Sequence, residues 1–580
     1  MKTERRFPGV AVSPGVARGP AFVYRPKDDL PQRRTVANVE AEIHRLHEAL
    51  TATRRQIADL HERMLVALGA KDAAVFEAHL MVVDDGALIN EVHSTLKTEK
   101  CNAEHGYWSV MQRYARSFAQ IDDPYLRERA ADIHDVARRV VHNLMGKDLS
   151  GLAGLSSPHV VFAHNLTPSD TAQMSRVNVL GFGTEAGGRT SHTAIIARSL
   201  AIPAVVGLHA ALDLIENGSD VLLDGYSGMV IVDPSPQTLY EYGELETRRK
   251  QVESALVELR ETESKTSDGM HVVLSANIET PEDVGAVRSS GAEGVGLFRT
   301  EFLYLARRDL PSEDEQTAAY TKVAAAVKPH GVIIRTLDLG GDKLHDLLSA
   351  TDEENPFLGW RAIRVCLDRL EIFKAQLRAI LRASTEGNIK IMFPMISGMP
   401  ELRRAKEVLA ECREELRKEG KAFDEKMEVG IMIEVPSAAM IADLLAKEVD
   451  FFSLGTNDLV QYTIAADRGN ERIAHLYEPT HPGVLRLIKQ TADAGRAAGI
   501  WTGVCGEMGG DITLTPLLIG LGVDELSCGA AVLPRVKRAV RSLELAACKK
   551  LAEEALACPS GAEILQKCEA VAREHYGELF

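Results

Sequence analysis

One run of this 580-residue chain gathers residues that handle phosphate: Gly187-Gly188-Arg189-Thr190-Ser191-His192-Thr193-Ala194-Ile195-Ile196-Ala197-Arg198. The apolar stretch Val177 to Phe182 before it reads as a strand, and Ala204-Val205-Val206 after it as the next one. Two glycines permit a tight turn and close approach of a ligand to the backbone. Thr190 or Ser191 can cap the helix that Ala194-Ile195-Ile196-Ala197 begins, which puts His192 in its first turn. Free N–H groups and the positive end of the helix dipole meet there. The position suits a phosphate, or a histidine that carries one.

A second constellation lies in the C-terminal half. Glu434 in Ile433-Glu434-Val435-Pro436 and Asp458 in Gly455-Thr456-Asn457-Asp458 are carboxylates on separate predicted strand ends. Hard oxygen ligands in such small number suit Mg²⁺ held jointly with a substrate phosphate. Arg299, Arg335, Arg361 and Arg468 can supply bidentate contacts to a phosphate and a carboxylate. Cys505 lies in the glycine-flanked segment Gly503-Val504-Cys505-Gly506-Glu507-Met508. A thiol beside a substrate serves as nucleophile or as proton donor, and spacing does not choose between the two.

These residues need a frame. Eight strand candidates, Val272–Asn277, Gly294–Phe298, Val332–Thr336, Ile389–Met395, Val429–Val435, Phe451–Leu454, Trp501–Val504 and Glu525–Ser527, alternate with helical stretches. That rhythm predicts a (β/α)₈ barrel of the TIM type, with its site at the C-terminal strand ends. Arg299, Arg335, Glu434, Asn457, Asp458 and Cys505 all fall at those ends. Ahead of it, residues 7 to 24 read as a small β unit. Val36, Val39, Ile43, Leu46, Leu50, Ile57, Leu60 and Met64 then keep a three-four spacing broken only at Thr53, which predicts a long amphipathic helix. Further helical patterns cover roughly 71–83, 86–99, 103–120 and 125–146. Strand signals return at Val160-Val161-Phe162, Val221-Leu222-Leu223 and Val230-Ile231-Val232. The expected fold class is therefore multidomain α/β. Residues 1–30 and 148–235 form one α/β domain, 31–147 a helical bundle inserted into it, 236–265 a helical linker and 266–580 the barrel.

The motifs together resemble a known family. The Gly187–Arg198 run is similar to the phosphohistidine signature shared by Enzyme I of the phosphoenolpyruvate:sugar phosphotransferase system and the pyruvate phosphate dikinases. Gly294–Leu303, Arg335-Thr336-Leu337-Asp338, Phe393-Pro394-Met395, Gly430–Pro436, Phe452–Asp458 and Cys505-Gly506-Glu507-Met508 resemble the phosphoenolpyruvate-binding barrel of Enzyme I, in the same order. The resemblance spans almost the whole chain. It implies that phosphoenolpyruvate phosphorylates Nε2 of His192 with Mg²⁺ required, and that Glu434 and Asp458 hold the metal. It further implies that Arg299, Arg335, Asn457 and Arg468 bind phosphoenolpyruvate with Arg361 close by, and that Cys505 protonates the enolpyruvate to give pyruvate. The phosphoryl group would then pass to a histidine of the phosphocarrier HPr docked on the inserted helices, with the barrels paired in a homodimer. One departure is Gly509, where the family pattern leads one to expect alanine.

Bulk properties fit this picture and exclude others. The formal net charge of −16 argues against a nucleic-acid or anionic-membrane partner. No uncharged apolar run approaches the ~18 residues of a membrane span, and the start Met-Lys-Thr-Glu-Arg-Arg-Phe-Pro lacks a signal-peptide core. The eight cysteines have no metal-type spacing and read as reduced thiols of a cytoplasmic protein. A pyruvate phosphate dikinase would need a nucleotide-binding domain, yet the residues before Gly187 look helical and lack a phosphate-cradling glycine loop. A regulatory, nitrogen-type phosphotransferase would carry a sensory domain ahead of the small β unit, and the chain is expected to have no room for one.

Overall fold

The computed structural model describes residues 4–25, 31–68, 70–119, 124–146, 155, 157–171, 174, 177–188, 192–305, 309–340, 353, 355–468, 470 and 472–580. The chain divides into two units, Met1–Thr247 and Arg248–Phe580.

The first unit is built on an eight-stranded mixed sheet. Its strands are β1 (Arg5–Pro8), β2 (Val10–Ser13), β3 (Val16–Tyr24), β4 (His159–Ala163), β5 (Val179–Thr184), β6 (Ala204–Val206), β7 (Asp220–Asp224) and β8 (Met229–Val232), in the order β1-β8-β7-β3-β4-β5-β6-β2. Strands β3 to β6 run parallel. Val160, Val161, Phe162 and Ala163 of β4 are all buried, as a central parallel strand covered on both faces requires. Five helices, α1 (Val39–Leu68), α2 (Ala70–Val83), α3 (Gly86–Glu99), α4 (Ala103–Ala119) and α5 (Pro124–Met145), leave from β3 and return into its neighbour β4. The bundle is thus an insertion between two paired strands. Leu46, Leu50, Ile57, Leu60 and Met64 of α1 are buried in its core. Thr53, the one break in their spacing, is buried too, and its hydroxyl accepts a 2.7 Å hydrogen bond from the Asn143 side chain of α5. The polar residue replaces an apolar contact with a satisfied buried bond.

The short helix α6 (Pro168–Thr171) lies between β4 and β5, the short helix α7 (His192–Ser199) between β5 and β6, and the longer α8 (Pro236–Glu258) follows β8. The division between the units falls inside α8.

The second unit is a closed barrel of eight parallel strands: β9 (Val273–Ile278), β10 (Gly294–Phe298), β11 (Gly331–Arg335), β12 (Ile389–Phe393), β13 (Val429–Ile433), β14 (Phe451–Leu454), β15 (Trp501–Val504) and β16 (Glu525–Gly529), with β16 pairing back to β9. All eight expected strands are present, with ends shifted by at most two residues, the margin expected where side-chain pattern rather than hydrogen bonding marks a boundary. Inside the barrel Leu297, Ile333, Met392, Met432 and Phe451 pack together, with Trp501 stacked on Phe451 at 4.6 Å and Cys505 joining the same cluster. The interior is therefore filled, and chemistry is confined to the mouth.

Candidate active site

Loops after the barrel strands enclose a cavity of about 440 Å³. Arg299, Arg335, Arg361, Glu434, Asn457, Asp458, Arg468 and Cys505 all line it. Every barrel residue singled out from the sequence is brought to one place.

Arg335, the last residue of β11, is held by Glu301 at 3.0 Å and by Asp338 at 2.8 Å. Its Nε is buried with no protein partner among the described residues. Burial works against its charge, but Glu301 and Asp338 outweigh it and raise the guanidinium above its ordinary range. Arg361 donates to Asp338 at 2.8 Å, to Asp458 at 3.2 Å and to the Tyr462 hydroxyl at 3.1 Å. It too is charged against burial, by Asp338 and Asp458. Arg299 and Arg468 are more exposed and meet Glu279 at 3.0 Å and Glu507 at 3.6 Å. The mouth thus offers two buried cations locked by acids and two movable ones at the rim.

The carboxylates converge. Oxygens of Asp338, Glu434 and Asp458 lie within 4.8 Å of one another, with Glu434 and Asp458 buried. Glu434 accepts a 2.6 Å bond from the Met395 N–H. Burial first, then the charges of Asp338 and Asp458, push its carboxyl up to about 8. Three acids this close resist joint ionisation unless a cation joins them. An all-oxygen donor set of that kind fits a hard divalent cation.

Cys505 follows β15 and is almost wholly buried, its Sγ 3.6 Å from the Leu454 carbonyl oxygen. Burial pushes its thiol up to about 11, only partly opposed by Ser453 and Arg335. At neutral pH it carries its proton. The next residue must be glycine: a Cβ on Gly506 would stand 2.0 Å from the Thr456 hydroxyl and 2.9 Å from the Thr456 backbone nitrogen, so the Cys505 loop lies directly against the start of the helix that carries Asn457 and Asp458. Gly509 is tight as well, since a Cβ there would lie 2.9 Å from the Ser527 carbonyl oxygen.

His192 belongs to the first unit and is the first residue of α7. Gly187 takes a positive φ of 108° ahead of it, as the turn expected there demands. Thr193 ties the helix start to the preceding segment through a 2.9 Å bond to the Leu166 carbonyl. Arg189, Thr190 and Ser191, and with them the expected cap, lie outside the described residues.

Comparison with known proteins gives matches in both units. A family model described as the PEP-binding domain of PEP-utilising enzymes matches residues 253–545. Models of the N-terminal and mobile domains of the same enzymes match residues 8–129 and 155–228. A phosphoenolpyruvate-protein phosphotransferase of Geobacillus stearothermophilus is 45% identical over 97% of this chain and 97% of its own. That of Staphylococcus carnosus is 45% identical over 97% and 99%, and that of Haemophilus influenzae 45% identical over 97% and 98%. The chain belongs to the phosphoenolpyruvate-protein phosphotransferase family.

Within this phosphotransferase, sequence reasoning missed three side chains. Asp338 completes the acid cluster, Glu301 balances Arg335, and Glu507 pairs with Arg468. Asp338 stands three residues after Arg335, Glu301 two after Arg299 and Glu507 two after Cys505, and each carries a negative charge near a strand end. That proximity was the available signal.

Proposed function

We propose that this chain transfers the phosphoryl group of phosphoenolpyruvate to Nε2 of its own His192 and from there to a histidine of HPr, releasing pyruvate. One observation carries the reading: four arginines, an asparagine, a protonated thiol and a three-carboxylate cluster line a single cavity in the unit matched by the PEP-binding family model. Phosphoryl transfer depends on positioning and charge neutralisation, which such a set supplies. Arg299, Arg335, Arg361, Asn457 and Arg468 hold the phosphate and carboxylate of the substrate. Glu434 and Asp458, with Asp338 beside them, hold Mg²⁺, which when bound neutralises charge on the transferring phosphoryl group.

In the step itself the enol O–P bond breaks and an N–P bond to His192 forms. Enolpyruvate is a poor product until it is protonated, and Cys505 gives its Sγ proton to the methylene carbon, later regaining one from solvent. The raised affinity of this thiol for its proton supports the acid role over the nucleophilic one. A single imidazole cannot contact a barrel substrate and a protein acceptor together. Residues 1–30 with 148–235 therefore move as a carrier about the 236–265 linker, between the barrel of 266–580 and HPr docked on 31–147. The barrels pair in a homodimer, and the eight free cysteines suit the reducing cytoplasm.

The test is transfer from labelled phosphoenolpyruvate with Mg²⁺, in wild type and His192→Ala, followed by addition of HPr. Acid-labile label on wild type alone, passing to HPr, is the expected result. Label that persists in His192→Ala overturns the histidine assignment. Labelling from ATP but not from phosphoenolpyruvate points to a nucleotide-dependent enzyme, and preference for a nitrogen-branch carrier over HPr to a regulatory one.

A further inference from the structure

Among the cations of the barrel mouth, Arg468 has an unusual partner. Arg335 and Arg361 are locked by buried acids, whereas Glu507 is 81% exposed at its side chain and still turns inward. Its Oε1 lies 3.6 Å from Nη1 of Arg468 and accepts a 3.2 Å bond from Nδ2 of Asn457. Its backbone N–H donates to Oδ1 of the same Asn457 at 2.9 Å. One carboxylate oxygen thus takes an amide N–H and faces a guanidinium, the pair of contacts that an oxygen of an anionic substrate would make. Glu507 begins the short turn Glu507–Gly510 that follows Cys505, and the close approach of Gly506 to Thr456 brings it onto Asn457.

We propose that Glu507 is a specificity-determining residue that holds Asn457 and Arg468 as an internal stand-in for the substrate anion, yielding only to a ligand that also engages the other arginines. This rests on the reading of the cavity as a phosphoenolpyruvate site. A monoanion that displaces Glu507 exchanges one carboxylate for another and gains little. A ligand bearing both phosphate and carboxylate reaches Arg299, Arg335 and Arg361 as well, and gains their contacts on top of the exchange. The same competition acts on the product. Pyruvate is a monoanion, so the return of Glu507 to Asn457 and Arg468 helps expel it.

An exposed ion pair of this kind is worth up to about 5-fold in an equilibrium constant, so removing its charge has an effect of that size. Glu507→Gln keeps shape and backbone contact while removing the competing charge. Steady-state transfer to HPr with Mg²⁺ by the full chain gives KM for phosphoenolpyruvate and the inhibition constant for pyruvate. Both are expected to fall about 2- to 5-fold. Glu425→Gln, which breaks an exposed pair with Arg417, serves as the charge control and leaves both constants where they are. A rise in KM, a loss of kcat at constant KM, or constants equal to wild type would overturn the proposal, the first two assigning Glu507 to productive positioning of Asn457 and Arg468. Thermal stabilisation by inorganic phosphate gives a second readout that needs no turnover, and it should be larger in Glu507→Gln than in wild type. If wild type transfers nothing from phosphoenolpyruvate, the assigned function fails while the phosphate readout still tests Glu507. Equal stabilisation of the two proteins overturns the stand-in.

Discussion

Whether Cys505 is an acid or a nucleophile turns on the proton it holds, and alkylation reads that proton directly. Iodoacetamide reacts with the thiolate. With its thiol at about 11 rather than the ordinary 9.0, the ionised fraction at pH 8 falls from about one in eleven to about one in a thousand, a drop of about 100-fold. A thiolate of higher proton affinity is intrinsically more reactive, and with a Brønsted slope of about 0.4–0.5 this returns about tenfold. The net expectation at pH 8 is a rate about tenfold below that of a free cysteine peptide, before burial slows it further. The shape of the profile is the sharper observable. Modification of the Cys505 peptide, followed by mass spectrometry between pH 7 and 10, should climb about tenfold per pH unit throughout, because the inflection lies above the range. The other seven cysteines are also free and buried, so the measurement must be resolved by peptide. An inflection below pH 9, or a rate at pH 8 matching the free peptide, would refute the acid assignment and return the thiol to nucleophilic chemistry.

Asp338→Asn leaves Arg335 with Glu301 and Arg361 with Asp458, so urea denaturation should show a loss of about 3 kcal/mol, the low end for a broken buried pair, together with weaker Mg²⁺ binding. Because the Glu434 carboxyl is pushed up to about 8, it is protonated below that pH, and Mg²⁺ must displace the proton. Apparent Mg²⁺ affinity by calorimetry should therefore weaken about tenfold per unit as pH falls from 8 to 6; an affinity flat over that range contradicts it. Lys537 is buried and its ammonium donates to the carbonyl oxygens of Arg260, Thr262 and Gly291, so Lys537→Met, which orphans all three, should cost about 3 kcal/mol or more in the same denaturation assay. Gly509→Ala presses a methyl group against the Ser527 carbonyl oxygen and should cost about 1–3 kcal/mol, visible as a lower melting temperature.

The elements of this chain are legible because their apolar periods are. Strands such as Gly294–Phe298, buried along their whole length, read as short continuous runs, and α1 reads as a stripe. The positions of Arg299, Glu434, Asn457 and Cys505 were legible for a related reason, since a barrel sends the residues at its strand ends to one mouth. Pairing between them was not. Asp338 lies three residues beyond Arg335 in a segment with no turn signal, and only closure of the barrel brings it against Glu434 and Asp458. What that pairing changes is the charge of the site. Read as a sequence, the mouth holds four arginines against two carboxylates, Glu434 and Asp458, and so carries a surplus of positive charge. In the structure Arg299, Arg335, Arg361 and Arg468 share the cavity with Glu301, Asp338, Glu434, Asp458 and Glu507, so five acids face four cations. Such a mouth has no surplus positive charge to offer a phosphate. Glu434 holding its proton brings the balance to neutral, and a divalent cation bound among the acids makes it positive. A place for a divalent cation then follows from the charge balance of the mouth as much as from the three carboxylates that could hold it, because Arg335, Arg361, Arg299 and Arg468 each already face an acid of their own.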